Sequence, residues 1–249
     1  MSPAAGAGVP KAAPVENADV DTASDDYATR FRGSVGAWFL AEQARATREL
    51  LSGLPRGATV LDVGGGHAQL TPMLLEAGYV VTVIGSEPGA DVQLRPFVRE
   101  GRVRFETGNL VALPYDERSF DAVISFRLLP HVTAWRELIA EMCRVGRRWM
   151  VADYPSTRSV NAIGMFGMKK GIEGNTRTYT LFTHEEIDDA ISASGYRVTG
   201  VRPQFLWPMV LHRMLKNATL AGALEAPPRW LGLTRAFGSP VIVRAERRA

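Results

Sequence analysis

The feature that most constrains this chain is a short apolar strand that ends in an acid and runs into three glycines. Residues 60–67 read Val-Leu-Asp-Val-Gly-Gly-Gly-His. Continuous apolar runs of this length are typical of strands buried in a parallel sheet, and such sheets bind ligands beyond the carboxyl ends of their strands. Glycines there let the backbone approach a ligand closely, and the helix start that follows offers free N–H groups. Asp62, two residues before the first glycine, favours a ligand that carries a cation.

Apolar strands alternate with helical patterns along most of the chain. Strands are predicted at residues 59–63, 79–84, 103–106, 120–125, 149–153, 197–201 and 240–245. Helices are predicted at 35–51, 69–77, 92–100, 135–146 and 184–193, and in the apolar stretch 205–224 after Pro208. The alternation predicts an α/β fold. We expect a doubly wound, mostly parallel, seven-stranded Rossmann-like sheet, with helices on both faces and an antiparallel C-terminal strand.

The 249 residues are predicted to form a single domain after a leader. Residues 1–24 are rich in Ala, Pro, Gly and Asp and are expected to be disordered. Within the domain, 25–249, we expect lid helices over 25–55, a ligand-binding core over 56–155, and a cover with the last strands over 156–249.

Composition excludes several classes of function. The net charge is +3 and the densest basic run is the tail Arg244, Arg247 and Arg248, which argues against a nucleic-acid groove. One cysteine and four scattered histidines make neither a disulfide nor a metal site. No secretory leader or apolar span of about 20 residues is visible, so we expect a cytoplasmic protein without stable membrane insertion. Oligomeric state is left open.

The glycine loop does not fit the common nucleotide motifs. A dinucleotide fingerprint that starts at Gly64 needs a third glycine where Gln69 stands. A phosphate loop needs a Gly-Lys-Ser/Thr sequence, which does not follow. Nicotinamide cofactors and nucleoside triphosphates are therefore disfavoured.

Residues 59–153 resemble the class I S-adenosylmethionine-dependent methyltransferases, in the broad group of small-molecule and quinone-biosynthesis enzymes. Asp62, Gly64 and Gly66 match the first motif of that family, whose next glycine is Ala68 here. The stretch Phe-Asp-Ala-Val-Ile-Ser at 120–125 resembles its fourth strand. The resemblance implies that S-adenosylmethionine is the cofactor. It also implies that Asp62 and the loop Gly64, Gly65, Gly66 and His67 surround the methionine part.

The main departure from the family lies at the end of the second strand. An acid that binds the ribose is usual there, but this chain has Gly85 followed by Ser86 and Glu87. Either Glu87 or Ser86 makes the ribose contact, or affinity is reduced. The resemblance further implies that Asn109 and Leu110 lie beside the adenine. By the same resemblance, Phe126 and Arg127 line the amino-acid end of the cofactor.

Catalytic and acceptor residues are less well defined, because direct displacement at a sulfonium needs mainly alignment. His131 follows the fourth strand and is the candidate proton acceptor, with a structural histidine as the alternative. Candidate substrate contacts are Tyr27, Phe31, Trp38 and Tyr154, with core packing as an equal alternative. The aromatic flanks favour a small, apolar or aromatic acceptor.

Two other functions stay open at this point. A non-catalytic S-adenosylmethionine-binding module is compatible with the changes at Ala68 and Gly85. A nucleic-acid methyltransferase that acts on exocyclic amines needs an acid- or Asn-Pro-Pro-aromatic segment after the fourth strand. This chain has Ser-Phe-Arg-Leu at 125–128.

Overall fold

The structure is a computed structural model that describes residues 17–160, 162 and 179–248. The strands are β1 Thr59–Val63, β2 Val80–Gly85, β3 Val103–Thr107, β4 Phe120–Ser125, β5 Gly146–Tyr154, β6 Tyr196–Phe205 and β7 Ser239–Arg247. The helices of the described ranges are α1 Ala18–Thr22, α2 Asp25–Thr29, α3 Gly33–Leu50, α4 Thr71–Glu76, α5 Arg95–Arg99, α6 Trp135–Val145, α7 His184–Ala193, α8 Met209–Leu215, α9 Ala218–Trp230 and α10 Leu233–Phe237.

The seven strands form one sheet in the order β3-β2-β1-β4-β5-β7-β6. Strands β1 to β5 pair in parallel, whereas β7 pairs antiparallel with both β5 and β6. The predicted fold class is thereby confirmed, including its inverted C-terminal strand. The strand order reverses direction at β1, so the ends of β1, β2 and β4 form the crevice where such sheets bind ligands.

Both faces of the central strands are covered by helices. Alternate residues of β1 face opposite sides, so Leu61 packs with α6 and α7 residues while Val60 packs with α3 and α4 residues. Leu138 of α6 and Leu74 of α4 are fully buried in these two cores. Burial on both faces explains why the strands are apolar without strict alternation.

A third, smaller cluster joins α3 to the C-terminal helices. Val35, Phe39, Phe205 and Ala221 form its buried centre, and Trp38 packs against it. The predicted single helix after Pro208 is in fact two helices, because Lys216 adopts a left-handed conformation and Asn217 caps α9. The Asn217 side chain accepts from the backbone N–H groups of Thr219 and Leu220, which starts a new helix there.

The N-terminal stretch differs from its prediction. Residues 1–16 lie outside the described residues, but Ala18–Thr22 is helical within the segment assigned to a disordered leader. Asp19 and Ala23 are buried against the rest of the molecule. Within the predicted cover, residues 161 and 163–178 lie outside the described residues. A capping box formed by Thr183 and Glu186 starts α7.

Candidate functional site

The glycine loop after β1 leaves no room for side chains. Gly64 has a φ of 72°, a left-handed conformation that favours glycine. A Cβ placed on Gly65 would overlap the Asp62 carboxylate, and one on Gly66 would overlap the carbonyl oxygen of Ala90. The loop is therefore bare backbone, packed tightly between the end of β1 and the turn after β2.

Asp62 lies beneath this loop and is 1% exposed. Within the described part of the chain, neither of its carboxylate oxygens has a hydrogen-bond partner. Burial raises the pKa of Asp62 to about 7. Because a buried carboxylate without donors is costly, this arrangement fits a ligand that brings a cation or N–H donors to the loop.

His67 connects the glycine loop to the end of β4. Its Nδ1 accepts from the backbone N–H of Gln69 at 3.2 Å, so Nε2 carries the proton and donates to the carbonyl oxygen of Phe126 at 3.3 Å. Burial, and secondly the charge of Arg127, lower the pKa of His67 to about 4. The neutral His67 imidazole therefore joins the glycine loop after β1 to the segment after β4.

The end of β2 carries an acid from elsewhere in the chain. The backbone N–H of Ser86 donates to Oδ2 of Asp19 at 2.8 Å. Glu87 is exposed at the same strand end. Gly85 has no space for a side chain, since a Cβ there would lie 2.9 Å from the Ala90 side chain. For the ribose contact at this strand end, the sequence predicted only the neighbouring residues Ser86 and Glu87.

Asn109 and Leu110 lie in the loop after β3. The Asn109 side-chain oxygen accepts from the backbone N–H of Val111 at 3.1 Å, and Leu110 is fully buried. The N–H of Gly108 donates to the carbonyl oxygen of Gly85 at 2.9 Å, which ties this loop to the end of β2. The two predicted adenine residues thus border the same crevice as the glycine loop.

Arg127, immediately after β4, is held in a strained backbone conformation. Its φ is 60°, which is unusual for a residue with a side chain. Its N–H donates to Oδ1 of Asp153 at 2.6 Å, and its guanidinium donates to the Gln43 side chain at 2.6 Å. Asp153 ends β5 and is 5% exposed, and burial raises its pKa despite the nearby Arg127. Such strain is commonest at functional sites.

Aromatic side chains from α2 and the following turn lie over Arg127. Its guanidinium carbon is 4.1 Å from the ring centroid of Phe31. The Phe31 ring is in turn 5.8 Å from that of Tyr27. Two of the predicted substrate residues therefore lie at the carboxyl edge of the sheet.

His131 lies at the same edge, in the short helical turn that follows β4. Its ring is 5.4 Å from the ring of Tyr179. As a whole residue Tyr179 is 46% exposed, yet burial around its hydroxyl, followed by the charge of Asp153, raises its pKa to about 12. Tyr27 and Arg127 also act on this hydroxyl. We name Tyr27, Phe31, Arg127, His131 and Tyr179 the acceptor cluster.

Tyr179 is the member of the acceptor cluster that sequence reasoning missed. It follows the long irregular stretch 156–175 and belongs to no periodic pattern. Its position is set by a backbone bond from the N–H of Thr180 to the carbonyl oxygen of Pro130, at 2.8 Å. A contact between residues 130 and 180, fifty residues apart, leaves no local pattern in the sequence from which it could be predicted.

The structure does not place Trp38 and Tyr154 in the acceptor cluster. The Trp38 ring packs at 5.2 Å from Phe205 and 5.5 Å from His212, in the third apolar cluster. Tyr154 is 2% exposed, and its hydroxyl forms a 2.6 Å hydrogen bond with Nδ1 of His184. These contacts are those of core residues.

The remaining polar groups show no metal-binding arrangement. Buried His212 bonds through Nε2 to Oε1 of buried Glu225 at 3.0 Å. Among residues 17–160, 162 and 179–248, no group of three or more His, Cys, Asp or Glu side chains could hold a metal. Burial raises the pKa of the Cys143 thiol to about 12. None of the described helices is long and apolar enough to cross a bilayer.

A cavity of about 350 Å³ lies beside Tyr27, between α2, the start of α3 and the end of α8. It is lined by Thr29, Arg30, Arg32, Gly33, Ser34, Val35, Gly36, Arg213 and Lys216. Four of these residues are basic and none is acidic. This cavity is therefore basic, whereas the neighbouring acceptor cluster is largely aromatic.

Comparison with known proteins agrees with this geometry. Residues 61–148 match the family model described as a methyltransferase domain, a range that includes the glycine loop and α6. An uncharacterized methyltransferase from Mycolicibacterium gilvum is 27% identical over 218 residues, which cover 84% of this chain and 82% of that protein. The chain therefore contains a methyltransferase domain, and it resembles this curated methyltransferase over most of its length.

Two further proteins extend the comparison. A demethylmenaquinone methyltransferase from Deinococcus radiodurans is 30% identical over 129 residues, about half the length of either protein. The crystal structure of magnesium protoporphyrin IX methyltransferase from Synechocystis, with bound S-adenosylhomocysteine, has a TM-score of 0.65 at 14% identity. The structural alignment covers 92% of this chain and 97% of that chain, and it shows that the two proteins share a fold. The methyltransferase domain and the shared fold support S-adenosylmethionine as the cofactor, as the sequence predicted.

Proposed function

We propose that this methyltransferase transfers a methyl group from S-adenosylmethionine to a small, apolar or aromatic organic molecule by direct displacement. The observation that carries the proposal is the Asp62 carboxylate, which is buried beneath a bare glycine loop and has no hydrogen-bond partner among the residues described. When bound, the cofactor supplies an electrophilic methyl group on a sulfonium. The residues described above bind it, orient the acceptor and exclude water.

On the cofactor side, Asp62 and the backbone of Gly64, Gly65, Gly66 and His67 would hold the amino-acid end. A buried carboxylate attracts the ammonium group strongly because little water screens the two charges. Asn109 and Leu110 would border the adenine, since both lie in the loop tied to the end of β2. Phe126 and Arg127, which follow β4, would form the other wall of this end of the site. The hydrogen bond between His67 and the carbonyl oxygen of Phe126 holds that wall against the glycine loop.

On the acceptor side, the acceptor cluster would position the nucleophile. Tyr27 and Phe31 offer flat apolar faces at the strand ends, which suits a small aromatic ring. Aligning two reactants can contribute about 7–11 kcal/mol to lowering the barrier. His131 would accept the proton of an oxygen or nitrogen nucleophile, since it lies at the same edge beside Tyr179.

The two alternative functions have less support. The fourth-strand segment lacks the motif of methyltransferases that act on exocyclic amines of nucleic acids. A non-catalytic module would have no need of the strained, doubly anchored Arg127 beside the aromatic rings. A cytoplasmic location, the absence of a nucleic-acid partner and the single-domain division stay predictions from the sequence.

The proposal is tested by following a labelled methyl group. The protein is incubated with methyl-labelled S-adenosylmethionine and a desalted cell extract, which is then split into acid-precipitable polymer and small-molecule fractions. We expect label in the small-molecule fraction only, and none with a Gly66→Ala variant. Label in nucleic acid would support the polymer alternative. Binding of the cofactor without any transfer would support the non-catalytic one.

A further inference from the structure

The carboxylate of Asp19 lies between the glycine loop and the end of β2. Asp19 is fully buried, although it belongs to α1 near the N-terminus. Its Oδ2 accepts from the Ser86 N–H at 2.8 Å. Its Cβ is 3.4 Å from the point where a Cβ on Gly64 would lie. The N-terminal segment thus brings an acid directly onto the ligand crevice.

The other oxygen of this carboxylate is unpartnered. Oδ1 of Asp19 is buried and makes no hydrogen bond to any residue that the structure describes, and burial raises the pKa of Asp19. A buried acceptor left without a donor costs roughly 1–3 kcal/mol, and more when it is charged. The Asp62 carboxylate, which lies against Gly65, is likewise buried and unpartnered among the described residues. Two buried carboxylates with unpartnered oxygens therefore lie against the glycine loop.

The strand end itself cannot supply an acid to this place. A Cβ on Gly85 would lie 2.9 Å from the Ala90 side chain and 3.0 Å from the Phe105 ring. Glu87 is exposed. In doubly wound sheets that bind nucleosides, an acid about 20 residues after the glycine loop typically binds a ribose hydroxyl. In this chain that position is Gly85, and the buried carboxylate of Asp19 accepts from the N–H of the next residue, Ser86.

We propose that Asp19 accepts hydrogen bonds from the ribose hydroxyls of bound S-adenosylmethionine, while Ser86 N–H holds the second carboxylate oxygen in place. This inference rests on the proposed function of the glycine loop. It assigns the nucleoside part of the site to a residue outside the region that matches the family model, residues 61–148.

The assignment makes cofactor binding and docking of α1 interdependent. Ala23, the residue after α1, also contributes, since its Cβ lies 3.2 Å from the Cβ position of Gly66. By linkage, a ligand that bonds to Asp19 stabilises the docked segment, and the docked segment raises the affinity for the ligand.

The test pairs a variant with a changed ligand. The affinities of S-adenosylhomocysteine and of its analogue without the 2′ and 3′ hydroxyls are measured by calorimetry for wild type, Asp19→Ala and Asp19→Asn. We expect Asp19→Ala to weaken S-adenosylhomocysteine binding about 10- to 100-fold, as for bonds to a charged group. We expect the same variant to leave the affinity of the hydroxyl-free analogue within about twofold. Glu100→Ala, which removes an exposed acid away from the crevice, is the control and should bind both ligands normally. A selective loss in Glu87→Ala would instead assign the ribose contact to Glu87 and overturn the inference.

Other outcomes would overturn the inference. Tighter binding by Asp19→Ala would show that α1 occludes the site, and equal losses for both ligands would show that Asp19 only supports packing. The near-isosteric Asp19→Asn variant should also lose affinity selectively, and it keeps the test valid if Asp19→Ala unfolds. A wild-type protein that binds neither ligand would instead defeat the proposed function itself.

Discussion

The cofactor side and the acceptor side of this site are built from different material. On the cofactor side, ligand-facing surface comes from the backbone after β1 and from strand ends that are buried on both faces of the sheet. On the acceptor side, side chains from three segments of the chain, 27–31, 127–131 and 179, meet through ring–ring and cation–π contacts. Backbone geometry leaves a local signature in sequence, whereas a meeting of distant side chains does not. The variants below test this difference.

The largest effect is expected at Gly66. In Gly66→Ala the new methyl overlaps the Ala90 carbonyl oxygen, which is backbone and cannot swing away. We expect S-adenosylhomocysteine binding to become undetectable by calorimetry, with a loss of about 1–3 kcal/mol in stability, as is typical of overpacking. Gly89→Ala is the matched control, because a Cβ there meets nothing within 4 Å. Normal binding by Gly66→Ala would mean that the loop is not a rigid cradle.

Asp62→Asn should remove part of the pH dependence of the free energy of unfolding. The pKa of Asp62 rises from 3.8 unfolded to about 7 folded, so the folded state keeps a proton that the unfolded state loses. The Asp62 contribution to stability is thus present below about pH 4 and lost as pH rises towards 7. Asp19 and Asp153 shift in the same direction, so the measurement is the difference between wild type and variant in urea unfolding from pH 5 to 8.

Cofactor affinity should show the opposite trend. A cation bound beside Asp62 favours the ionised carboxylate, so binding below pH 7 must displace a proton. We expect wild-type affinity to rise from pH 5 to 7 and then level off, and Asp62→Asn to be weaker by about 10- to 100-fold with a flatter profile. An unchanged profile in the variant would place the cation elsewhere.

Glu225→Gln tests the C-terminal side. Glu225 is fully buried and accepts from the N–H groups of Leu206 and Trp207 and from His212. Replacing one acceptor oxygen by an amide nitrogen should cost about 1–3 kcal/mol, equivalent to several degrees in Tm. Affinity for S-adenosylhomocysteine should stay within twofold, as in the exposed control Glu185→Gln. A large loss of affinity would show that the packing around Glu225 is coupled to the cofactor site.

The smallest effect is expected at Ala68, where the family has a glycine. Ala68 adopts a φ of 54°, which costs a side chain roughly 1–2 kcal/mol. Ala68→Gly removes this strain but adds freedom to the unfolded chain, so we expect a net gain of about 0.5–1 kcal/mol. Differential scanning calorimetry would detect it, and a lower Tm would show that the methyl group packs usefully.

The sequence predicted the cofactor side better than the rest because its elements are continuous. Strands β1 and β4 match their predicted bounds to the residue, since each is an apolar run closed by turn residues. The break before Asn217 was missed because an apolar stretch continues across it. Asp19 was missed because a five-residue helix has too little periodicity to distinguish it from a disordered leader. Its partner, Ser86, is 67 residues away.

The position of β7 has a consequence for synthesis of the chain. The last strand, Ser239–Arg247, lies between β5 and β6 and pairs with both. During translation β6 emerges before β7, the strand that joins it to the sheet. Until β7 pairs with β5, one edge of β5 has unpaired backbone N–H and C=O groups. Strands β1 to β5 can associate during translation, but β6 can join the sheet only after β7 has emerged. A ribosome-stalled chain that lacks β7 should therefore expose a strand edge to chaperones.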